Sequence, residues 1–250
     1  LGSPVAHSIS PLMHNEAFRL LELDYVYLCF DVNEETLPAA VAGLRTCGIR
    51  GFNLTMPNKN KIVELLDELS PEAQLIGAVN TVLNDNGKLI GYNTDGYGFM
   101  QSVRDAGHDV TNKNITVMGV GGASMAICAQ SALDGASSVH IFARRTSRYW
   151  NRTQKFAENL TAKTGCQVCL FDNDDHTALK DSIAQSYLLI NATSVGMVPD
   201  IDDTIIKDTS LFHPELVVAD VVYEPQETRL LREAKAAGCQ TFNGMYMLLH

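Results

Sequence analysis

The chain has 250 residues, 46% of them hydrophobic, and a formal net charge of −10 at pH 7. That length can bury one large core or two ordinary ones, and an acidic balance without a basic run argues against nucleic acid and anionic membrane surfaces as partners. No apolar run reaches the ~18 residues of a membrane span and no signal-peptide pattern opens the chain, so a cytoplasmic protein acting on small molecules is expected.

Ser10-Pro11 is a helix start, a cap followed by proline at the first helical position, ahead of "LMHNEAFRLLEL". Tyr25 to Val32, "YVYLCFDV", reads as a strand, and "NEETLPAAVAGLRTCG" as an amphipathic helix ended by Gly48. Gly51 to Lys61, "GFNLTMPNKNK", begins as a buried strand, breaks at Met56-Pro57, and presents Asn58 and Lys59 where a helix begins. Lysine is normally exposed, so a solvated first-turn residue is one reading of Lys59. Strand ends beside turns also mount catalytic groups, and that reading stands beside it. After "IVELLDEL", the stretch "AVNTVLNDNGKLIGYN" contains Asn84-Asp85-Asn86-Gly87, a hairpin turn between short strands.

From Asn114 the pattern changes. "NITVMGVGGASMAICAQSALDGA" is an apolar strand, a glycine-rich turn and a small-residue helix, and "SSVHIFARR" is a second strand. "SYLLINATSVGM" and "LVVADVVYE" supply two more apolar strands between helical segments. Short buried strands alternating with helices describe a parallel sheet covered on both faces. The chain is therefore read as α/β in two domains, with a boundary near residue 98 and a cofactor-type domain over 98–240.

The cysteines are Cys29, Cys47, Cys128, Cys166, Cys169 and Cys239, scattered through apolar segments as reduced thiols are. Cys166 and Cys169 have CxxC spacing but no second pair to complete a zinc site, so no metal is expected.

Gly119-Val120-Gly121-Gly122-Ala123-Ser124 follows a strand and opens a helix, the context a dinucleotide fingerprint requires. Gly119 allows the tight turn, Gly121 the approach of a pyrophosphate, and Gly122 and Ala123 begin the helix whose N–H groups face it. The end of the next strand distinguishes the nucleotides. An NAD site usually offers an acid there; this chain offers Ala143, Arg144, Arg145, Thr146, Ser147 and Arg148. Guanidiniums grip a 2′-phosphate bidentately, which points to NADP and leaves NAD open. A solvated basic helix start is the alternative.

Three more pieces share the first domain with Lys59: Ser8-Ile9-Ser10, "GAVNT" (Gly77 to Thr81) and "GYNTDGYGF" (Gly91 to Phe99). Taken singly, the serines read as caps, Asn80 as a turn former and Asp95 as a helix cap. Together they set hydroxyls, an amide, a carboxylate and an ammonium at the ends of consecutive elements. Such a set can bind a small polyhydroxylated anion and handle one proton.

With these motifs in hand, the chain resembles the shikimate dehydrogenases, in particular the quinate/shikimate branch. The resemblance runs through "SPVAHSISPLMHNEAF", "TMPNK", "GAVNT", "GYNTDGYGF", "GVGGAS", "NATSVGM" and "DVVYEPQETRLL" to "GMYML". It implies a substrate domain with a mixed sheet (1–97 plus 241–250) and a Rossmann-like, doubly wound parallel domain (98–240), flanking a cleft. The implied activity is reversible hydride transfer between NADP(H) and shikimate/3-dehydroshikimate, with quinate open as a second substrate, by a monomer or homodimer.

By motif, the resemblance makes Lys59 and Asp95 the catalytic pair. Ser8 and Ser10 hold the substrate carboxylate, and Tyr27, Thr55, Asn80 and Tyr223 line the ring. Asn191 to Met197 and Gly244 to Met247 border the nicotinamide, and Thr193, Val222, Gly244 and Met247 are the cofactor-binding residues among and beside them. A carbonyl receiving hydride becomes an alkoxide, which an ammonium stabilises and protonates; the lysine then has a chemical reason to be there. Ser-x-Ser leans toward shikimate. Ala143 stands where many relatives carry Asn, and Thr146 where dual-specificity relatives often carry an acid. By the same resemblance the chain begins inside a first strand and stops short of a substrate-binding glutamine and a closing helix. A quinate-preferring dehydrogenase and a non-catalytic metabolite-binding module are the competing readings.

Overall fold

The structure is a computed structural model and describes residues 1–6 and 8–250. Two compact units emerge, Leu1–Asn93 and Thr94–His250.

In the first unit, β1 (Gly51–Asn53), β2 (Glu68–Leu69), β3 (Thr81–Asp85) and β4 (Lys88–Tyr92) form a sheet in the order β1-β3-β4-β2. The β1–β3 and β3–β4 pairs are antiparallel and β2–β4 is parallel, so the sheet is mixed, as expected. The hairpin is where the sequence puts it. Asn86 and Gly87 take φ of +53° and +94°, the left-handed pair that a two-residue turn needs to match strand twist. Helices α1 (Ser10–Leu20), α2 (Leu37–Thr46) and α3 (Pro71–Ile76) complete the unit. Its core gathers Leu37, Val41, Leu54, Ile62, Val79, Val82 and Leu89.

Three local expectations need correction. Ser10 is already helical and Ile9 holds the cap position, so the proline comes second rather than first in α1. Tyr25 to Val32 is not a strand along its length: only Asp31 forms a bridge, to Gly2, with the amide of Val32 donating to the carbonyl of Gly2. A β-branched, aromatic run needs a neighbouring backbone to become a ladder, and at Tyr27 the side chain of Asn15 takes that role. After Lys59 the chain makes turns and then a 3-10 segment, Lys61–Leu65, rather than an α-helix.

The second unit holds β5 (Asn114–Met118), β6 (Ser138–Ala143), β7 (Gln167–Asp172), β8 (Leu188–Asn191), β9 (Val217–Asp220) and β10 (Gln240–Phe242). All adjacent pairs are parallel, in the order β10-β9-β8-β5-β6-β7. Counted within the unit this is 3-2-1-4-5-6, the doubly wound dinucleotide-binding order. β8 and β9 are buried throughout, which is why they read as unbroken apolar runs.

Its helices are α4 (Asp95–Asp105), α5 (Gly122–Leu133), α6 (Trp150–Thr164), α7 (His176–Gln185), α8 (Arg229–Ala236) and α9 (Met245–Leu249). The division between units thus falls before α4, not near residue 98, and 241–250 lies in the second unit rather than the first. Packing explains both differences, because α9 lies on α4. At Gly98 a Cβ would stand 2.7 Å from the carbonyl oxygen of Met247, so only glycine admits this approach.

Candidate active site

In the first unit a line of side-chain amides and hydroxyls joins two of the expected substrate residues. The backbone of Tyr27 is held on both sides by Asn15, whose Oδ1 accepts from Tyr27 N (2.8 Å) and whose Nδ2 donates to Tyr27 O (3.0 Å). His14 stacks on the Tyr27 ring at 4.3 Å. The phenol then donates to Asn53 Oδ1 at 3.1 Å. Burial, helped by Cys29, pushes that phenol up to about 12, so it is a neutral hydrogen-bonding group throughout the physiological range. Asn53 Nδ2 donates to Thr81 Oγ1 (3.0 Å), which donates to Asn80 Oδ1 (3.0 Å). Tyr27 and Asn80, distant in sequence, share one network. Sequence reading missed Asn53 and Thr81, though Thr81 adjoins Asn80 and Asn53 stands two residues before Thr55.

Lys59 is fixed beside the same elements. Its carbonyl accepts from Val79 N at 2.8 Å, directly before Asn80. Asn58, fully buried, donates from Nδ2 to the carbonyl of Val32 at 2.6 Å and anchors the turn that carries Lys59. The lysine is half-buried rather than a freely solvated helix start. Thr55 leads into that turn, its amide bonded to Leu1 O and its carbonyl accepting from Asn58 N. Ser8 and Ser10 meet at the head of α1, where Ser8 Oγ accepts from Ser10 N at 3.3 Å. Ser8, Ser10, Tyr27, Thr55, Lys59 and Asn80 lie in the first unit, and Tyr223 and Asp95 in the second. Asp95 is the first residue of α4, with Thr94 at the cap position, where a carboxylate is favoured by the helix dipole.

In the second unit the glycine-rich turn leaves β5 as read. Gly119 has φ +111°, and a Cβ there would stand 2.8 Å from Ala192 O and from Thr193 Cγ2. Only glycine lets this turn lie against the chain leaving β8. Gly121 sits at the cap of α5, and a Cβ on it would meet nothing within 4 Å. That open ground in front of the N–H groups of Gly122 and Ala123 fits a pyrophosphate. Ser124 closes the turn, donating to Gly119 O at 2.6 Å.

Ala143 ends β6 and is buried; Arg144, Arg145 and Arg148 follow, exposed. They lie in the turn between β6 and α6, directly ahead of the helix. Arg145 lies over the Trp150 ring at 4.6 Å, and Arg148 over Tyr149 at 4.7 Å. Arg148 also donates from Nη2 to the Tyr149 hydroxyl, and stacking on aromatic faces holds both guanidiniums in place.

At the far half of the sheet, Thr193 follows β8, and Val222 and Tyr223 follow β9. Gly244 approaches so closely that a Cβ would stand 2.1 Å from Val221 O. Met247, on α9, is half-buried. Sequence reading passed over Asp220 at the end of β9, which is fully buried and bonded to Asn191, Val222 and Thr228. Cys166, the first of the CxxC pair, is pushed up to about 11 by burial and stays a thiol at neutral pH. Among the described residues no group of three or more His, Cys, Asp or Glu is placed to hold a metal, and no helix is long and apolar enough to cross a membrane.

A glycine turn at the carboxyl end of the first strand of a 3-2-1-4-5-6 sheet, followed by basic residues at the end of the second, defines a dinucleotide-binding α/β protein. The sequence model of the shikimate dehydrogenase substrate binding domain matches residues 1–82. Shikimate dehydrogenase (NADP(+)) of Listeria innocua is 49% identical over 249 residues, spanning 100% of this chain and 85% of its own length. The structure of shikimate 5-dehydrogenase from Listeria monocytogenes, in complex with shikimate and NAD, superposes with TM-score 0.95 at 48% identity, over 99% of this chain and 86% of that one. Quinate dehydrogenase from Corynebacterium glutamicum, in complex with NAD, gives TM-score 0.87 at 30% identity, over 100% of this chain and 88% of that one. The chain belongs to the shikimate dehydrogenase family.

Proposed function

We propose that the chain catalyses reversible transfer of a hydride between NADP(H) and shikimate/3-dehydroshikimate, in the cytoplasm. The observation that carries this reading is the 49% identity, over the whole chain, to an NADP+-linked shikimate dehydrogenase. The nicotinamide cofactor supplies or takes up the hydride.

The chain's own groups do the rest. Ser8 and Ser10 offer hydroxyls from one turn to the substrate carboxylate, and Tyr27, Thr55, Asn80 and Tyr223 bound its ring. Lys59 places an ammonium at the oxygen that gains negative charge, stabilises it, and moves the proton at that atom. Asp95 orients the reacting hydroxyl. Gly119, Gly121, Gly122 and Ala123 admit the pyrophosphate. Ala143 leaves room at the strand end for Arg144, Arg145 and Arg148 to receive the 2′-phosphate. Thr193, Val222, Gly244 and Met247 border the nicotinamide.

The likeness to a quinate dehydrogenase favours quinate as a second substrate. A site that merely accommodates one added hydroxyl discriminates poorly against it. The test is initial rates at 340 nm for the purified chain, crossing shikimate and quinate with NADP+ and NAD+. The highest kcat/KM is expected for shikimate with NADP+. Binding of shikimate without turnover in any combination would favour the metabolite-binding module instead.

A further inference from the structure

We propose that Asp220 is a positioning residue for the nicotinamide half of the cofactor site, a buried carboxylate that fixes the turns leaving β8 and β9 in one geometry. The proposal rests on the dehydrogenase reading for what those turns face. In a 3-2-1-4-5-6 sheet the adenosine half lies over the first three strands and the other half over the last three. β8 and β9 are the fourth and fifth.

Asn191 and Asp220 are direct cross-strand partners on the last rung of the β8–β9 pair. Asp220 Oδ1 accepts from Asn191 Nδ2 and from Val222 N, each at 3.0 Å. Its Oδ2 accepts from Thr228 Oγ1 at 2.7 Å. The roles of these neighbours are set by their other bonds. Asn191 Oδ1 already accepts from Thr193 N (3.1 Å) and Thr193 Oγ1 (2.7 Å), so the amino group is what faces Asp220. Thr228 Oγ1 accepts from Leu231 N at the head of α8, which leaves its proton for Asp220.

Among the described residues, three donors and no acceptor are bonded to the carboxyl group. That environment suits a carboxylate and would set a carboxylic acid's proton against a donor. Burial pushes the group up to about 6, so it is still ionised at neutral pH. A buried charge is costly unless it is fully hydrogen-bonded, and here each bond also fixes part of a turn. Asn191 Nδ2 reaches on to Val195 O at 3.1 Å, and Thr193 Oγ1 accepts from Val195 N. Val222 O accepts from Gly244 N at 3.4 Å. One carboxylate thus governs Thr193, Val222 and Gly244, and with them the surface offered to the nicotinamide.

The test compares the full chain with Asp220→Asn, Thr228→Val and Thr228→Ser. Dissociation constants are measured for NADP+ and for 2′,5′-ADP, which lacks the nicotinamide half, beside thermal midpoints. Asp220→Asn should weaken NADP+ about tenfold and leave 2′,5′-ADP within about twofold, the loss expected for a mispaired buried group. Thr228→Val should move the same ratio in the same direction by less, and Thr228→Ser should restore it. Equal weakening of both ligands, or a lowered midpoint with the ratio unchanged, would overturn the proposal. If Asp220→Asn does not fold, Thr228→Val decides on the same ratio. A parent chain that binds both ligands but oxidises neither shikimate nor quinate would sink the enzymatic reading alone.

Discussion

Gly96 and the carbonyl of Ala126 meet backbone to backbone: a Cβ on Gly96 would stand 2.3 Å from that oxygen. The helix that begins with Asp95 is therefore seated directly on the helix that begins at the glycine-rich turn. Gly96→Ala forces the two helices apart, and the neighbouring atom is backbone with little freedom to yield. A loss of about 1–3 kcal/mol is expected, the usual cost of overpacking. Asp95 moves with α4, so kcat should fall beyond what the lost folded fraction explains. Chemical denaturation and rates on the same sample would separate the two effects.

Gly43 makes the opposite prediction. It lies inside α2, and a Cβ there would meet nothing within 4 Å. Gly43→Ala should stabilise the chain by about 0.5–1 kcal/mol through helix propensity alone. Unchanged activity with a raised midpoint is the expected outcome; a lowered midpoint would show that the space beside Gly43 is not open.

The contrast between these glycines shows what a sequence exposes and what it hides. Asn84–Gly87 and the glycine-rich turn were legible because their residue types answer local backbone demands. The parallel sheet was legible because burial on both faces leaves unbroken apolar runs. Tyr25–Val32 misled because its composition favours a strand, while strandhood depends on a neighbour the local sequence does not name. Asp220 was invisible for a related reason. Within "LVVADVVYE" it is one acid at the end of a run, and its burial and three donors appear only when Asn191 and Thr228 arrive from elsewhere. Lys59 could be singled out by its place after a strand, but its seating against Val79 is a tertiary fact.

Arg144, Arg145 and Arg148 give a prediction on cofactor choice. Arg145 rests on Trp150, the one tryptophan in the chain. Binding of NADP+ or 2′,5′-ADP should therefore change the intrinsic tryptophan fluorescence. Arg144→Ala should raise KM for NADP+ about tenfold or more, the scale of a charge-assisted hydrogen bond. KM for NAD+ should stay within about twofold, since that cofactor has no 2′-phosphate to lose. Equal effects on both cofactors would remove Arg144 from phosphate recognition.

Lys59→Ala tests the proton-handling role. A bond that seats residue 59, Val79 N to its carbonyl, involves only main chain and survives the substitution. Far-UV circular dichroism and the thermal midpoint should therefore change little. The rate constant kcat should fall by about 10²–10⁴, the range general acid–base groups contribute. A variant that keeps most of its kcat would exclude Lys59 from the chemistry.

Asp220 also predicts a pH dependence of stability. Burial raises its carboxyl from 3.8 to about 6 in the folded chain. Between those values the folded state holds a proton that the unfolded state has released, so stability falls as pH rises. The decline should begin near pH 4, level off above pH 6, and total about 3 kcal/mol at most, since each pH unit between the two values is worth about 1.4 kcal/mol. The groups bonded to Asp220 are an amide, a backbone N–H and a hydroxyl, none of which titrates in this window. Other carboxylates such as Asp203 and Asp208 are shifted downward and contribute below pH 4, outside it; His14 and His140, pushed down by burial, gain stability as pH rises inside it, and do so in both proteins alike. Denaturant unfolding of the parent and of Asp220→Asn from pH 4 to 7 should show the parent losing ground to the variant as pH rises, because the amide has no proton to release. Parallel curves for the two proteins would mean that the Asp220 carboxyl titrates alike in the folded and unfolded chain.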